Sequence, residues 1–252
     1  MSSNRHSRCK ILALVLLIAS FGVPPASAVG LAAPPPMLAV PAQPKRAAFK
    51  HEIASLDARY LADWVVDSNN NRSLPFAILD KKEAKVFVFY ADGRLRGAAA
   101  ALLGSAVGDD SVPGIGDRPL ASIHPEERTT PAGRFVAVLD RNLHGKQMLW
   151  VDYEAAISMH PVITSNPEEH RAERLATPTP LDNRISYGCI NVPPEFFKNI
   201  VIPAFKNTKG IVYVLPETRS AQKVFASYDV DEHARLQLAA KIAASHSSAQ
   251  LK

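Results

Sequence analysis

Cysteine is nearly absent from this 252-residue chain, which has only Cys9 and Cys189. So few thiols exclude a disulfide framework, and with seven histidines scattered beyond residue 28 no metal-ligand spacing appears. Long apolar runs are also missing after Val29, which excludes a membrane-spanning body. A charge excess is missing too. The first 28 residues hold three basic groups and no acids, so the remainder carries 26 Lys+Arg against 24 Asp+Glu, a net +2 that gives no support to a nucleic-acid partner. The Gly114-Ile115-Gly116 loop has no lysine and no following helical pattern, so it is not a phosphate cradle. No internal repeat is present.

The N-terminus reads as an export signal. Arg5, Arg8 and Lys10 precede the apolar run Ile11–Val23, and Ala26-Ser27-Ala28 follows as a small-x-small cleavage site. Cleavage there removes Cys9 and leaves Cys189 as the sole thiol, with the mature protein expected in the periplasm and no integral membrane domain. Residues 29–50, rich in Ala and Pro, read as a tether. Residues 51–72 form a short helical lead-in, with Ile53, Leu56, Tyr60, Leu61 and Trp64 at helical spacing.

From residue 73 to 216 the signals are those of strands. Phe76–Leu79 and Lys85–Tyr90 are apolar and β-branched, Asp92-Gly93 is a hairpin signal, and Arg94–Ala106 returns as one strand. Arg134–Leu139, Gln147–Val151, Ala155–Met159 and Gly210–Leu215 add four more. Many short strands predict a mainly β fold, a β-sandwich or barrel-like domain with a few short helices. Residues 217–252 are charged and Ala-rich and read as a helical tail.

Cys189 sits in Ser186-Tyr187-Gly188-Cys189-Ile190-Asn191. A thiol attacks carbonyl carbon as thiolate, so it needs a base or a positive field. Pro193-Pro194-Glu195 predicts a helix start just beyond it, whose N-terminus would favour the thiolate. Gly188 permits close approach of substrate, and backbone amides around Cys189 are candidate oxyanion donors. The bland alternatives stand beside these. Cys189 is a nucleophile or a buried small hydrophobe. Arg184 binds a substrate carboxylate or is simply solvated. Ser186 and Asn191 orient the loop through bonds to backbone.

The hexapeptide resembles the nucleophile motif of the L,D-transpeptidase catalytic domain (YkuD-like) family, Ser/Thr-His-Gly-Cys-apolar-Asn/Arg. Thr130-Pro131-Ala132-Gly133-Arg134-Phe135 resembles that family's Thr-Pro-x-Gly-x-Phe segment. The likeness spans residues 74–216. Tyr187 stands where the family has histidine, and a phenol is a poor base near neutral pH. For the separate catalytic histidine, His170 matches the family spacing, with fifteen residues between it and Ser186, whereas His160 leaves twenty-five. His160 is nevertheless the expected base and His170 the alternative. His160 ends a strand-like run at Pro161, while Asn166-Pro167-Glu168 opens an inserted helix that carries His170.

The resemblance implies a periplasmic cysteine acyltransferase that forms a thioester with peptidoglycan tetrapeptide stems and passes it to an acceptor amine, with no cofactor. A thiol hydrolase on the same peptides and a non-catalytic wall-binding protein are the other readings. The acceptor and the oligomeric state stay open.

Overall fold

The computed structural model describes residues 43–250. The expected signal and most of the expected tether lie outside the described residues. The body is mainly β. Ten strands follow in chain order: β1 (Phe76–Asp80), β2 (Lys85–Phe89), β3 (Leu95–Ala100), β4 (Leu103–Gly104), β5 (Gly133–Arg141), β6 (Gln147–Asp152), β7 (Ile157–Pro161), β8 (Arg184–Ser186), β9 (Ile190–Val192) and β10 (Lys209–Val214). Eight form one sheet in the order β3-β2-β1-β10-β5-β6-β7-β9, and β4 pairs with β8.

The returning strand expected over Arg94–Ala106 is broken, because the chain changes partner after β3. Leu102 exchanges two backbone hydrogen bonds with Asn191, at 2.8 and 2.9 Å, and so joins the β3 end of the sheet to β9 at the opposite edge. Leu103 and Ser105 then donate to the Asn183 and Ser186 carbonyls. The sheet therefore curls almost closed, and one short segment grips both arms of the loop that carries Cys189.

β1, β2 and β10 are apolar over most of their length because both faces are covered. Ala77 and Leu79 of β1 face one core with Val86, Val88, Val212 and Val214. A helical stretch over residues 194–205 covers this core, burying Phe196, Phe197, Val201 and Phe205. Phe76 and Ile78 point the other way, towards helix Leu56–Ser68. Ser55 caps that helix by accepting from the Ala58 amide, and Ala58, Leu61, Ala62 and Val65 form its buried stripe. The expected apolar face is corrected accordingly: Ile53 and Leu56 are 82% and 85% exposed, since they fall outside that stripe.

Both expected outer boundaries lie inside the packed body. Ala48 pairs with the Gly93–Leu95 turn and Phe49 is buried, so the last residues of the expected tether belong to the second core. Glu217, Thr218 and Arg219 are bonded into the body, and Val230, at the start of helix Val230–Gln250, is buried. That helix is solvent-exposed from Arg235 to Ser247.

A buried charge cluster holds these segments together. Lys81, 1% exposed, donates to the carbonyls of Gly108 and Thr130 and pairs with Asp109 at 2.9 Å and Glu217 at 3.3 Å. Glu217 is also paired with Arg184, and Asp109 accepts from the Glu217, Thr218 and Arg219 amides and the Thr218 hydroxyl. Burial pushes the Asp109 carboxyl up, but these donors and Lys81 outweigh it and hold it far below the usual carboxylate range. Glu217 is lowered in the same way: burial opposes, while the Gly108 amide, Arg184 and Lys81 prevail.

Replacing Lys81 with Ala removes the buried cation shared by two buried carboxylates, so Lys81→Ala is expected to lose about 3–5 kcal/mol in urea unfolding. The exposed Lys82–Asp57 pair is the control, and Lys82→Ala should change stability by less than about 0.5 kcal/mol. Because both buried carboxyls are lowered in the folded state, their stabilisation is complete above the unfolded carboxylate value of about 4 and is lost as pH falls through the folded values. The share of stability from these two carboxyls should be constant down to about pH 5 and decline below about 4, read as an acid-side fall in the thermal melting temperature.

Candidate active site

The site lies where β7 and β9 run parallel, with His160 opposite Asn191 in register. His160 is 8% exposed, and its Nδ1 lies 2.8 Å from the Pro161 carbonyl. A carbonyl only accepts, so Nδ1 carries the proton and Nε2 is left for the thiol. The expected strand over Ala155–Met159 is shifted: β7 begins at Ile157, because Ala156 takes a left-handed turn at φ 53°, and it includes His160.

Cys189 follows β8 in a loop built from side-chain bonds. Ser186 Oγ donates to the Cys189 carbonyl at 2.6 Å and accepts from the Gly188 amide at 3.1 Å. Asn191 Nδ2 donates to the same carbonyl at 3.3 Å, and Thr130 Oγ1 donates to the Gly188 carbonyl at 2.8 Å. Gly188 has φ 126°, and a Cβ there would lie 2.7 Å from both the Thr129 carbonyl oxygen and Ile157 Cδ1. Only glycine fits, for backbone shape and for space. Its amide is already engaged, so any oxyanion donors in this loop are other backbone amides.

The Cys189 thiol is partly exposed and lies 3.7 Å from Ser158 Oγ and from the Ala156 carbonyl. Burial pushes its pKa up, but the hydrogen bond to His160, the imidazole charge and the Ser158 donors outweigh this and bring it below the ordinary thiol value. His160 moves the opposite way. Burial and, more weakly, the Arg171 guanidinium pull it down, while the bond to Cys189, the thiolate charge and the Pro161 carbonyl raise it above the ordinary imidazole value. The two groups thus shift in opposite directions, the thiol towards easier ionisation and the imidazole towards higher basicity.

Other expected residues are placed differently. The helix opening at Pro194 is separated from Cys189 by β9, and the groups that lower the thiol are His160 and Ser158. Arg184 is no free carboxylate receptor: it is bonded to Glu217 and to the Lys81 carbonyl. His170 sits exposed in a left-handed turn between Pro167–Glu169 and helix Arg171–Ala176, in the inserted segment. Tyr187 lies under the Arg128 guanidinium, 4.0 Å from its ring centre. Together with Cys189, Thr129 and Ile157 it lines a narrow cavity of about 70 Å³.

Sequence reasoning missed Ser158 and Arg171. Arg171 donates to Asn191 Oδ1 at 2.8 Å and is bridged to Glu169, so the inserted segment braces the loop from below. No local signal marks Ser158, which only the pairing of β7 with β9 brings to the thiol. Among the described residues, no three His, Cys, Asp or Glu side chains converge to hold a metal ion.

No family model and no curated protein matches the chain in sequence. Among solved structures, the helical cell shape determining protein Pgp2 of Campylobacter jejuni is 15% identical with a TM-score of 0.39, covering 65% of this chain and 52% of its own. An L,D-transpeptidase of Enterococcus faecium is 16% identical with a TM-score of 0.32, covering 56% and 49%. The L,D-transpeptidase of Xylanimonas cellulosilytica is 12% identical with a TM-score of 0.34, covering 56% and 60%. The chain thus spans about half the length of the first of these, and likenesses this remote do not bear on function.

Two outcomes follow from the geometry. The pH at which Cys189 alkylation by iodoacetamide rises should lie below the ordinary thiol range of about 8.5 and move upward in His160→Ala, where burial remains and the imidazole is gone. An unchanged profile would refute the pair. Gly188→Ala should destabilise the fold by on the order of 1–3 kcal/mol and slow alkylation at neutral pH, read by denaturation and intact-protein mass.

Proposed function

We propose that this protein is an exported cysteine acyltransferase acting on peptidoglycan stem peptides, an L,D-transpeptidase. The observation that carries the reading is the Cys189–His160 pair: a thiol lowered by a neighbouring imidazole whose outer nitrogen is tied to the Pro161 carbonyl. The pair stands in a Ser-x-Gly-Cys-apolar-Asn loop that resembles the family's nucleophile motif. Export is supported by the sequence signal over residues 1–28.

In this reading the Cys189 thiolate attacks the carbonyl of the third residue of a tetrapeptide stem. The carbonyl oxygen takes negative charge and is met by backbone amides of the 187–189 loop other than that of Gly188. Collapse breaks the peptide bond, and the imidazolium gives its proton to the departing D-alanine nitrogen, leaving a thioester and neutral His160. An acceptor amine then attacks the thioester. Its proton passes to His160 Nε2, the C–S bond breaks, and the thiolate–imidazolium pair is restored. The thioester conserves the energy of the broken amide, so no nucleotide is needed. One imidazole serves both steps, and Tyr187 takes no proton; its ring forms a wall of the cavity beside the thiol.

Incubation with purified tetrapeptide muropeptides tests this. Wild-type protein should give cross-linked dimers, Cys189→Ala should give none, and His160→Ala should be slower by roughly 10²–10⁴-fold. Shortened monomers alone would assign a hydrolase instead, and no product with any of the three would point to wall binding without catalysis.

A further inference from the structure

The face of the sheet that carries Ser158 and His160 is covered unevenly. Leu149, Val151, Ile157 and Met159 point into the first core, so Met148, Trp150, Ser158 and His160 alternate onto the opposite face. Further along that face, helix Leu56–Ser68 packs over Ile211 of β10, which is 1% exposed. Val136 of β5, its partner in register, is 49% exposed, so the cover ends between these two strands. Val136, Val138 and Trp150 then form an open apolar strip. It leads directly to Ser158, because Val138 pairs with Trp150 and Trp150 with Ser158.

An aromatic pair stands on this strip. Tyr153 is 59% exposed and stacks on Trp150, with ring centres 5.2 Å apart and planes inclined by 19°. The turn that presents Tyr153 is fixed by Asp152, whose Oδ1 accepts from the Glu154 and Ala155 amides at 3.0 and 3.2 Å. The same turn ends at Ala156, whose carbonyl lies 3.7 Å from the Cys189 thiol. Two carboxylates border the pair. Asp152 follows Trp150 by two residues on β6, and Asp140 follows Val138 by two on β5, so both belong to the open face. Partial burial, and then the Asp140 charge, push the Tyr153 phenol above its ordinary value, which sets that carboxylate near the phenol.

An uncovered aromatic stack of this kind suits a ligand with one flat apolar face. A pyranose ring has such a face. Its axial C–H bonds carry slight positive charge and complement the negative face of an aromatic ring, while its hydroxyls project at the edge, where a carboxylate accepts hydrogen bonds. Val136, Val138, Trp150 and Tyr153 are far fewer than the roughly 20–30 residues a side of a stable protein interface, which argues against a second copy of the chain. The bordering carboxylates repel an anionic lipid surface.

We propose that Trp150 and Tyr153 form a stacking platform for a sugar ring of a β-linked glycan, with Asp140 accepting hydrogen bonds from its hydroxyl groups. The assignment rests on the reading of the wall polymer as substrate and deepens it by giving the carbohydrate, as distinct from the peptide, a site of its own. That site lies one strand away from Ser158, so a glycan seated there holds its attached stem beside the thiol.

Indole N–H signals in NMR of the full chain test binding separately from catalysis. The chain has two tryptophans, Trp64 and Trp150. Trp64 is buried in the second core and is the internal control. Titration with chitotetraose, a peptide-free β-1,4-linked oligomer of N-acetylglucosamine, should shift the Trp150 signal saturably and leave Trp64 in place. Tyr153→Ala and Asp140→Ala should each weaken this binding at least about three-fold. An unmoved Trp64 signal in each variant certifies its fold. The proposal is overturned if Trp150 does not respond, if either variant binds as tightly as the wild type, or if phosphatidylglycerol vesicles shift Trp150 as strongly as the sugar. A Trp150 signal that moves on dilution of the protein alone assigns the strip to self-association and also overturns it. Cross-linked muropeptides formed without a Trp150 response to the sugar sink the platform alone. A sugar-dependent Trp150 response without any cross-linked product sinks the acyltransferase reading and leaves a glycan-binding site.

Discussion

The Lys81 ammonium, wholly enclosed among Asp109, Glu217 and two carbonyls, is the interaction on which the rest of the molecule depends. An unpaired charge at that depth is untenable, so every group that compensates it is held in place. Those groups come from far-apart stretches: the loop at 108–109, Thr130 before β5 and Glu217, which is in turn paired with Arg184 of β8. Thr130 carries the constraint onward. Its carbonyl accepts from Lys81, while its hydroxyl accepts from the Gly104 amide and donates to the Gly188 carbonyl. The position of the backbone next to Cys189 is thereby linked to a charge cluster that never touches the thiol.

The closing of the sheet supplies the other half of the frame. The segment at 102–105 bonds to Asn191 on one side and to Asn183 and Ser186 on the other, so both arms of the 187–189 loop are clamped. Between them Gly188 accepts a conformation and a closeness to Thr129 that no other residue tolerates. The thiol then meets Ser158 and His160 from β7. Its lowered pKa follows from that meeting, with a hydrogen bond and an opposite charge outweighing desolvation. Arg171 acts in the other direction on His160, moderating a proton affinity that the thiolate would otherwise raise further.

Legibility in the sequence followed the length of each signal. Strands such as Phe76–Asp80 and Lys85–Phe89 were readable because both faces are buried and each holds four consecutive apolar residues. β8 and β9 were not, since three residues have no period to detect. That omission moved the helix start up against Cys189 in the sequence reading, although β9 intervenes. Arg184 had the chemistry of a carboxylate receptor, but its carboxylate is Glu217, thirty-three residues away in the chain. The choice between His160 and His170 turned on local pattern: a strand halted by proline against a capped turn. In the structure His160 is buried at the end of β7, and His170 lies in an exposed turn.

The sequence by itself determined that the chain is strand-rich, that Cys189 lies in a glycine-preceded loop, and that a histidine at the end of a strand was available to it. These are local properties, carried by side-chain type and short-range spacing. The tertiary structure alone decided that Ser158 lies near the thiol, that Arg184 serves the frame, and that one cavity is lined by Cys189 and another by His160. The physical reason is that those features arise from partners brought together by sheet closure and buried charge. Both act between residues tens of positions apart, where spacing along the chain carries no record of them.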